Sequence, residues 1–171
     1  MKNIVPALIL IMLSACKFNN EDSDKKVNVP DNNTLIEVNK ILVDKDNELI
    51  LKYIERHNWK MEQTRTGLWY MIYKKGTGEK AVTGKNATID YRIELLDGTL
   101  CYESDNSDPK TFRVGQGGVE SGLEQGILLL REGDEAKFIM PPHLAHGLLG
   151  DENKIPPRAI IVYDVKLIDI Q

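Results

Sequence analysis

Two proline-containing stretches near the end of the chain hold side chains whose types and spacing could form a functional site. The first, Met140–Gly150, has two prolines followed by His143 and His146, and the second is Ile155-Pro156-Pro157. No Ser/His/Asp or Cys/His pair has persuasive spacing for a nucleophilic site, and the three histidines do not form a metal-ligand cluster. The residue types and their spacing therefore do not predict a nucleophilic or metal-dependent site.

A glycine-containing motif lies upstream, Val119-Glu120-Ser121-Gly122-Leu123-Glu124-Gln125-Gly126. Together with the proline stretches it resembles the FKBP-type peptidyl-prolyl isomerases, because a hairpin, this motif, the double-proline loop and a closing strand follow in family order over residues 66–171. The resemblance implies an α+β fold, with an antiparallel sheet of about five strands half-wrapped around one short helix. It also implies isomerisation of Xaa-Pro bonds in a desolvated pocket, with no cofactor.

The resemblance also assigns residues to the pocket. They are Tyr91, Phe112, Val119, Glu120, Leu123, His146, Ile155 and Tyr163. Glu120 would act through its backbone N–H, which binds a substrate carbonyl in the family, and His146 would replace a tyrosine whose hydroxyl reaches a substrate carbonyl. Pattern alone leaves alternatives open: the apolar residues are equally typical of a sheet-on-helix core, and His146 could be an exposed loop residue without function.

Several positions depart from the family pattern at the pocket rim. Cys101-Tyr102 replace Phe-Asp, so the acidic group of family ligand complexes is missing unless Glu103 supplies it. Leu123 replaces the floor tryptophan and Lys110 replaces a wall aromatic. Since the chemistry is desolvation and shape, these changes predict a slow isomerase that binds macrolide inhibitors weakly.

The first residues predict export and lipidation. An apolar stretch ends in Leu13-Ser14-Ala15-Cys16, which is too short for a transmembrane helix and matches the bacterial lipobox. Residues 1–15 are therefore interpreted as a lipoprotein signal peptide and Cys16 as the lipidated residue. An ordinary signal peptide is the alternative. Several acyl chains would anchor the protein stably to a membrane surface of the cell envelope, facing the periplasm or the cell surface.

Composition excludes some partners. With a formal net charge of −4 and no Lys/Arg-rich stripe, the chain lacks the electrostatic footprint of a nucleic-acid-binding protein. Once Cys16 is acylated, Cys101 is the remaining thiol and has no disulfide partner, so we expect it to be buried. Residues 16–33 are rich in Asn, Asp, Lys and Ser and are predicted to be a flexible tether.

Elements of regular structure follow from hydrophobic spacing. Residues 34–65 are predicted to be a helical leader that docks on the domain of a monomer. Its pattern is strongest over 46–57, with Asp46 as N-cap, while a strand across 35–43 is the alternative. Strands and one short helix are predicted beyond it. They cover 68–73, 86–95 with an Asp97-Gly98 turn to 100–102, 112–115, 120–130 for the helix, 135–140 and 159–170.

Two functions fit these features. The first is an envelope foldase that accelerates Xaa-Pro isomerisation in exported proteins, whose proline-containing segments would be its partners. The second is a non-catalytic module that binds a proline segment of a surface machine. The lipobox, the leader with Trp59 and the 143–150 segment are most similar to gliding-motility-associated lipoprotein isomerases, which implies a role in motility.

Overall fold

The computed structural model describes residues 31–104 and 108–171 of the chain. The predicted signal peptide, Cys16 and most of the predicted tether lie outside the described residues. The tether prediction overlaps the structure at 31–33, where the residues cap and begin a helix. In the two described ranges no helix has the length and apolarity needed to cross a bilayer.

The first element is one long helix, α1, at Asn32–Arg56. Its N-cap is Asp31, whose carboxylate accepts a hydrogen bond from the Thr34 N–H at 2.7 Å and so satisfies a free amide of the first turn. The predicted N-cap at Asp46 and the alternative strand across 35–43 are both wrong, and the helix ends at Arg56 instead of continuing through the predicted leader 34–65, where Glu62–Gln63 form a strand. The apolar three-to-four spacing continues through Asp46, so nothing in the local pattern ends the helix there.

The C-terminal half of α1 docks on the domain, as the sequence predicted for the leader. Its buried side chains Ile50, Tyr53 and Ile54 pack in a second hydrophobic cluster, separate from the main core of the domain. This cluster also contains Ile139 and Val162 of the sheet and Ile160, the residue before the last strand. The N-terminal half of the same helix leaves apolar side chains exposed, such as Ile36 at 65%. Because helices gain most of their stability from packing, the docked half holds α1 in place.

An ion pair reinforces this docking. Asp46 is buried on α1, and Nη2 of Arg158 lies 3.1 Å and 2.9 Å from its two carboxylate oxygens. Arg158 lies 112 residues further along the chain, in the loop before the last strand. Asp46 therefore joins the leader to the domain instead of capping a helix.

We expect Asp46→Asn to lower the free energy of unfolding by about 1–3 kcal/mol, because a charged hydrogen bond is lost and the guanidinium loses its counter-charge. The exposed neighbour Asp44 provides the matched control, and Asp44→Asn should change stability by less than about 0.5 kcal/mol. Urea unfolding of the two variants measures the difference. Equal effects would show that the ion pair does not stabilise the docked helix.

Within residues 31–104 and 108–171, seven strands follow α1. They are β1 (Glu62–Gln63), β2 (Trp69–Lys74), β3 (Asn86–Leu95), β4 (Leu100–Glu103), β5 (Lys110–Arg113), β6 (Glu135–Met140) and β7 (Ile161–Ile170). They form one sheet in the order β1-β2-β6-β7-β3-β4, with β5 paired to β3, and every pair is antiparallel. The α+β class is confirmed. The hydrophobic pattern predicted six of these strands, one more than the resemblance implies, and missed β1 because two residues are too few to show alternation.

A short helix, α2 at Ser121–Ile127, covers the other face of the sheet. Its glycines allow close approach: a Cβ on Gly126 would lie 2.6 Å from the ring of Phe138, and one on Gly122 would lie 2.7 Å from Sδ of Met140. The helix ends before the predicted Leu130, in turns that close i→i−3 hydrogen bonds. The sheet is thus covered by α2 on one face and by the docked half of α1 on the other.

Candidate active site

A cavity of about 240 Å³ opens beside the N-terminus of α2, next to strands β3, β4 and β7. Eight residues line it: Tyr91, Ile93, Tyr102, Lys110, Glu120, His146, Asp151 and Tyr163. Six of them were predicted as site or rim residues from the sequence, and Ile93 and Asp151 were not. A larger cleft of about 680 Å³ lies beneath α1, but none of the predicted site residues lines it.

Two tyrosine rings form one wall. Tyr91 stands on β3 and Tyr163 on β7, with ring centroids 6.1 Å apart and planes inclined by 39°. The neighbouring strands are in antiparallel register, with Ile93 opposite Tyr163, which brings these side chains to the same place. At the position where the family has a wall aromatic, Lys110 instead holds its ammonium group 5.8 Å from the Tyr91 ring centroid.

A chain of hydrogen bonds crosses the inner part of the cavity. The Tyr163 hydroxyl donates to Oε2 of Glu120 at 3.0 Å, and Nε2 of His146 lies 3.0 Å from Oε1 of the same carboxylate. The Glu120 side chain is only 9% exposed and Tyr163 is 1% exposed. Burial, together with the Glu120 charge, raises the pKa of Tyr163, so its hydroxyl keeps its proton and remains a donor.

The side chain of Glu120 thus contributes more than the sequence indicated, since only its backbone was expected to matter. An ionised carboxylate can only accept hydrogen bonds, so Nε2 of His146 must carry a proton to bond with it. A neutral His146 then has no second N–H for a substrate carbonyl. The N–H that was predicted to bind a substrate carbonyl therefore bonds to Glu120 instead.

The backbone of Glu120 remains available. Its N–H has no hydrogen-bond acceptor within the described ranges 31–104 and 108–171, although its carbonyl accepts from Glu124 N–H at 3.1 Å. Glu120 immediately precedes α2, with extended backbone angles of φ −59° and ψ 140°. A free N–H at the side of a cavity can bind a substrate carbonyl, which is the role predicted for this residue.

Asp151 supplies an acidic group at the rim. It accepts a hydrogen bond from the Tyr102 hydroxyl and others from the N–H groups of Asn153 at 2.9 Å and Ile155 at 2.7 Å. Burial alone would raise the pKa of Asp151, but these hydrogen bonds outweigh it and lower the pKa to about 2. Asp151 is therefore ionised at neutral pH and fixes the loop that leads to the double proline.

The alternative acidic residue considered from the sequence does not reach the cavity. Glu103 is exposed and pairs with Arg92 at 3.0 Å. Adjacent residues of a strand point to opposite faces, so Tyr102 can face the cavity only if Glu103 faces away. The only sequence signal for Asp151 was its position just after Gly150 in the loop before the prolines.

Five of the predicted site residues do not line this cavity. Leu123, Ile155, Phe112 and Cys101 are buried in the main core, and Val119 is half-buried against it. Burial also raises the pKa of the Cys101 thiol, which makes it a poor nucleophile. His143, from the first proline stretch, lies elsewhere, with Nε2 2.9 Å from the Thr66 carbonyl oxygen. Contact of a bound substrate with Leu123, Ile155, Phe112 and Val119 stays a prediction.

Comparison with known proteins bears on this geometry. The family model of the FKBP-type peptidyl-prolyl cis-trans isomerases matches residues 77–168, more than half of the chain. Over 111 residues the chain is 40% identical to the probable FKBP-type peptidyl-prolyl cis-trans isomerase FkpA of Neisseria meningitidis, which covers 64% of this chain and 40% of that relative. The chain thus spans about two-fifths of the length of the FkpA relatives it matches.

Solved structures share the fold. The crystal structure of AtFKBP13 superposes with a TM-score of 0.63 at 29% identity and covers 66% of this chain and 99% of that one. The crystal structure of FkpA from Escherichia coli has a TM-score of 0.66 at 27% identity and covers 80% of this chain and 64% of that one. With the family model spanning both the tyrosine wall and the double-proline loop, this chain belongs to the FKBP-type peptidyl-prolyl cis-trans isomerase family.

Proposed function

We propose that this protein is a peptidyl-prolyl cis-trans isomerase that works in the cell envelope. The observation that carries the proposal is the Glu120 N–H, which has no acceptor among the described residues, beside a ring-sized cavity walled by Tyr91 and Tyr163. The N–H supplies a fixed donor for a substrate carbonyl, and the rings supply apolar surface for a proline side chain. Membership of the isomerase family supports the same reaction.

The reaction needs no covalent step. Rotation about a peptide bond has a barrier of about 18–20 kcal/mol because amide resonance must be broken. The twisted imide has less charge separation than the planar one, so removing water stabilises it relative to the ground state. A cavity that holds the proline ring, while Glu120 N–H holds a neighbouring carbonyl, lowers this barrier without a metal or a cofactor.

The lining also supports a limited rate. A polar chain from Tyr163 through Glu120 to His146 takes the place of apolar surface, and it makes the cavity less effective at excluding water from the imide. At about 240 Å³ the cavity is smaller than the roughly 300–1,000 Å³ typical of sites for drug-sized ligands. We therefore expect slow turnover of peptides and weak binding of macrolide inhibitors.

A protease-coupled peptide assay tests the proposal. The protein should accelerate isomerisation of a Leu-Pro peptide in proportion to its concentration, and Tyr163→Ala should abolish most of the acceleration. The exposed residue Tyr73, at 47%, provides the control, since Tyr73→Ala removes an aromatic side chain outside the cavity. No acceleration at high protein concentration would refute catalysis.

Binding without turnover would instead support the alternative, a module that holds one proline segment of a surface machine. Ile155→Ala separates the two together with Tyr163→Ala. If the unchanged protein binds the peptide without turnover and both substitutions weaken that binding, the cavity is a non-catalytic binding site. If the unchanged protein turns the peptide over and both substitutions remove turnover, the isomerase is supported.

Anchoring is the second part of the proposal. We infer that lipid on Cys16 holds the domain at a membrane surface, on the basis of Leu13-Ser14-Ala15-Cys16. Expressed in a bacterium, the protein should sediment with membranes, and Cys16→Ser should leave it in the soluble or uncleaved fraction. Mass spectrometry of the N-terminal peptide should show acyl chains on Cys16. An unmodified Cys16 in the mature protein would refute anchoring.

A role in gliding motility is the most specific part and rests on sequence likeness alone. Deletion of the gene in its own bacterium should slow colony spreading, and a copy encoding Tyr163→Ala should fail to restore it. Restoration by that copy would separate motility from isomerisation. Normal spreading of the deletion strain would remove the motility role and leave a general foldase for exported proteins.

A further inference from the structure

We propose that Glu120 makes the cavity select proline segments that carry lysine or arginine next to the proline and reject those that carry an acidic residue there. This inference rests on the proposed function, because it names a substrate class for the same site. The reason is the position of one buried carboxylate in a cavity that otherwise needs only apolar walls.

The Glu120 carboxylate has acceptor capacity that the protein does not use. A carboxylate offers roughly four acceptor positions. In the described residues its side chain accepts from the Tyr163 hydroxyl and is bonded to Nε2 of His146. Within those residues two acceptor positions of Glu120 are therefore left without a partner.

The lining holds a carboxylate that is mostly buried. Glu120 and Asp151 are the acidic groups of the lining, and the Glu120 side chain is 9% exposed. Lys110 lines the same cavity and Lys154 lies over the Tyr102 ring, but within residues 31–104 and 108–171 neither forms an ion pair with either carboxylate. A charge that is largely removed from water is screened less than an exposed one, so the Glu120 carboxylate acts strongly on a charged group that enters the cavity.

The tyrosine rings at the cavity already hold cations of this chain. The Lys110 ammonium group lies 5.8 Å from the Tyr91 ring centroid, and that of Lys154 lies 5.1 Å from the Tyr102 ring centroid. Both lysines are on flexible stems and can swing into solvent. A substrate ammonium or guanidinium group can occupy the same ring faces and at the same time approach the open acceptor positions of Glu120.

Acidic and apolar residues beside the substrate proline would bind less favourably than a cationic one. An acidic side chain would stand close to a buried carboxylate, and like charges at close range are strongly unfavourable. An apolar side chain would cover the open acceptor positions of Glu120 without supplying a donor for them. A cationic neighbour both supplies a donor and compensates the charge.

The test compares peptides that differ only beside the proline, with Lys, Leu or Glu before it in one set and after it in another. On the full chain we expect kcat/KM to be about tenfold higher for Lys than for Glu in at least one set, because like-charge contact is removed. Glu120→Gln keeps the side-chain size and the hydrogen-bond acceptor but removes the charge, so the ratio should fall to about one to two. The exposed pair partner Glu103 gives the control: Glu103→Gln should keep the ratio.

Peptide affinity, measured by fluorescence anisotropy, separates this inference from the proposed function. A Lys-over-Glu affinity ratio that depends on Glu120, in a protein without turnover, would support the selectivity and refute the isomerase. Turnover of the Leu peptide with Lys-to-Glu ratios near one would keep the isomerase and overturn the selectivity. A preference for Lys that survives Glu120→Gln would also overturn it, because the charge would then lie elsewhere.

Discussion

A protein carrying both Glu120→Leu and Tyr163→Phe is expected to isomerise a Leu-Pro peptide about tenfold faster than the natural sequence, which corresponds to about 1.4 kcal/mol in the barrier. The two changes remove a carboxylate and a hydroxyl that bond to each other at 3.0 Å and keep similar side-chain volumes. Replacing both partners of a buried hydrogen bond with apolar groups is nearly neutral for stability. His146 loses the same carboxylate, but its side chain is 26% exposed and can bond to water instead. The cavity then excludes water better from the imide, which is the basis of the rate.

The two single substitutions should have different effects. Glu120→Leu alone leaves the Tyr163 hydroxyl, in a residue that is 1% exposed, without its acceptor and should cost about 1–3 kcal/mol of stability. Tyr163→Phe alone leaves the carboxylate in place and should change the Leu-Pro rate little. Urea unfolding and the peptide assay measure the four proteins as a double-mutant cycle. A double variant no faster than the natural sequence would show that the polar chain does not limit the rate.

The hydrogen-bonded chain of Tyr163, Glu120 and His146 explains both the slow isomerisation and the selectivity that we propose. The carboxylate that slows a general proline substrate is the same group that would favour a cationic neighbour. The double variant should isomerise Leu-Pro faster and also lose the preference for Lys. That result would show that Glu120 lowers the rate on general substrates and raises the selectivity for cationic ones. Specificity obtained by placing an unfavourable group against the wrong partner is common in binding sites.

Strand positions could be predicted closely from the sequence. The β6 prediction, 135–140, matches the structure, and the Asp97-Gly98 turn is present, with Gly98 at φ +88°. These elements are encoded by alternation and turn residues within about ten positions, so local reasoning is sufficient. The start of α1 is different. Asp46 looks like an N-cap locally, but its partner is Arg158, 112 residues away, and only the folded chain brings them together.

Most residues of the site were predictable, but the contacts between its polar residues were not. Tyr91 and Tyr163 were found because the family resemblance fixes their positions on two strands. The contact between Glu120 and Tyr163 depends on which rotamer a side chain adopts in front of a neighbouring strand, and the position of Asp151 depends on the course of an irregular loop. Neither leaves a periodic signal in sequence, so neither could be inferred from it.

The second large effect concerns α1. Ile50→Ala is expected to lower the free energy of unfolding by about 2–5 kcal/mol, because the side chain is 1% exposed and its removal leaves a cavity against the sheet. The control is Ile36→Ala on the same helix, where the side chain is 65% exposed and the change should be less than about 0.5 kcal/mol. Urea unfolding of both variants measures the difference.

The physical reason is that the sheet has two apolar faces. Neighbouring residues of β6 point to opposite sides: Phe138 packs in the main core with α2, and Ile139 packs in the second cluster with α1. No residue of α1 lines the cavity, so Ile50→Ala should leave the peptide turnover of the folded protein unchanged at low temperature. Equal stability losses from Ile50→Ala and Ile36→Ala would mean that α1 does not dock. A loss of turnover in the fully folded Ile50→Ala protein would mean that the two faces of the sheet are coupled.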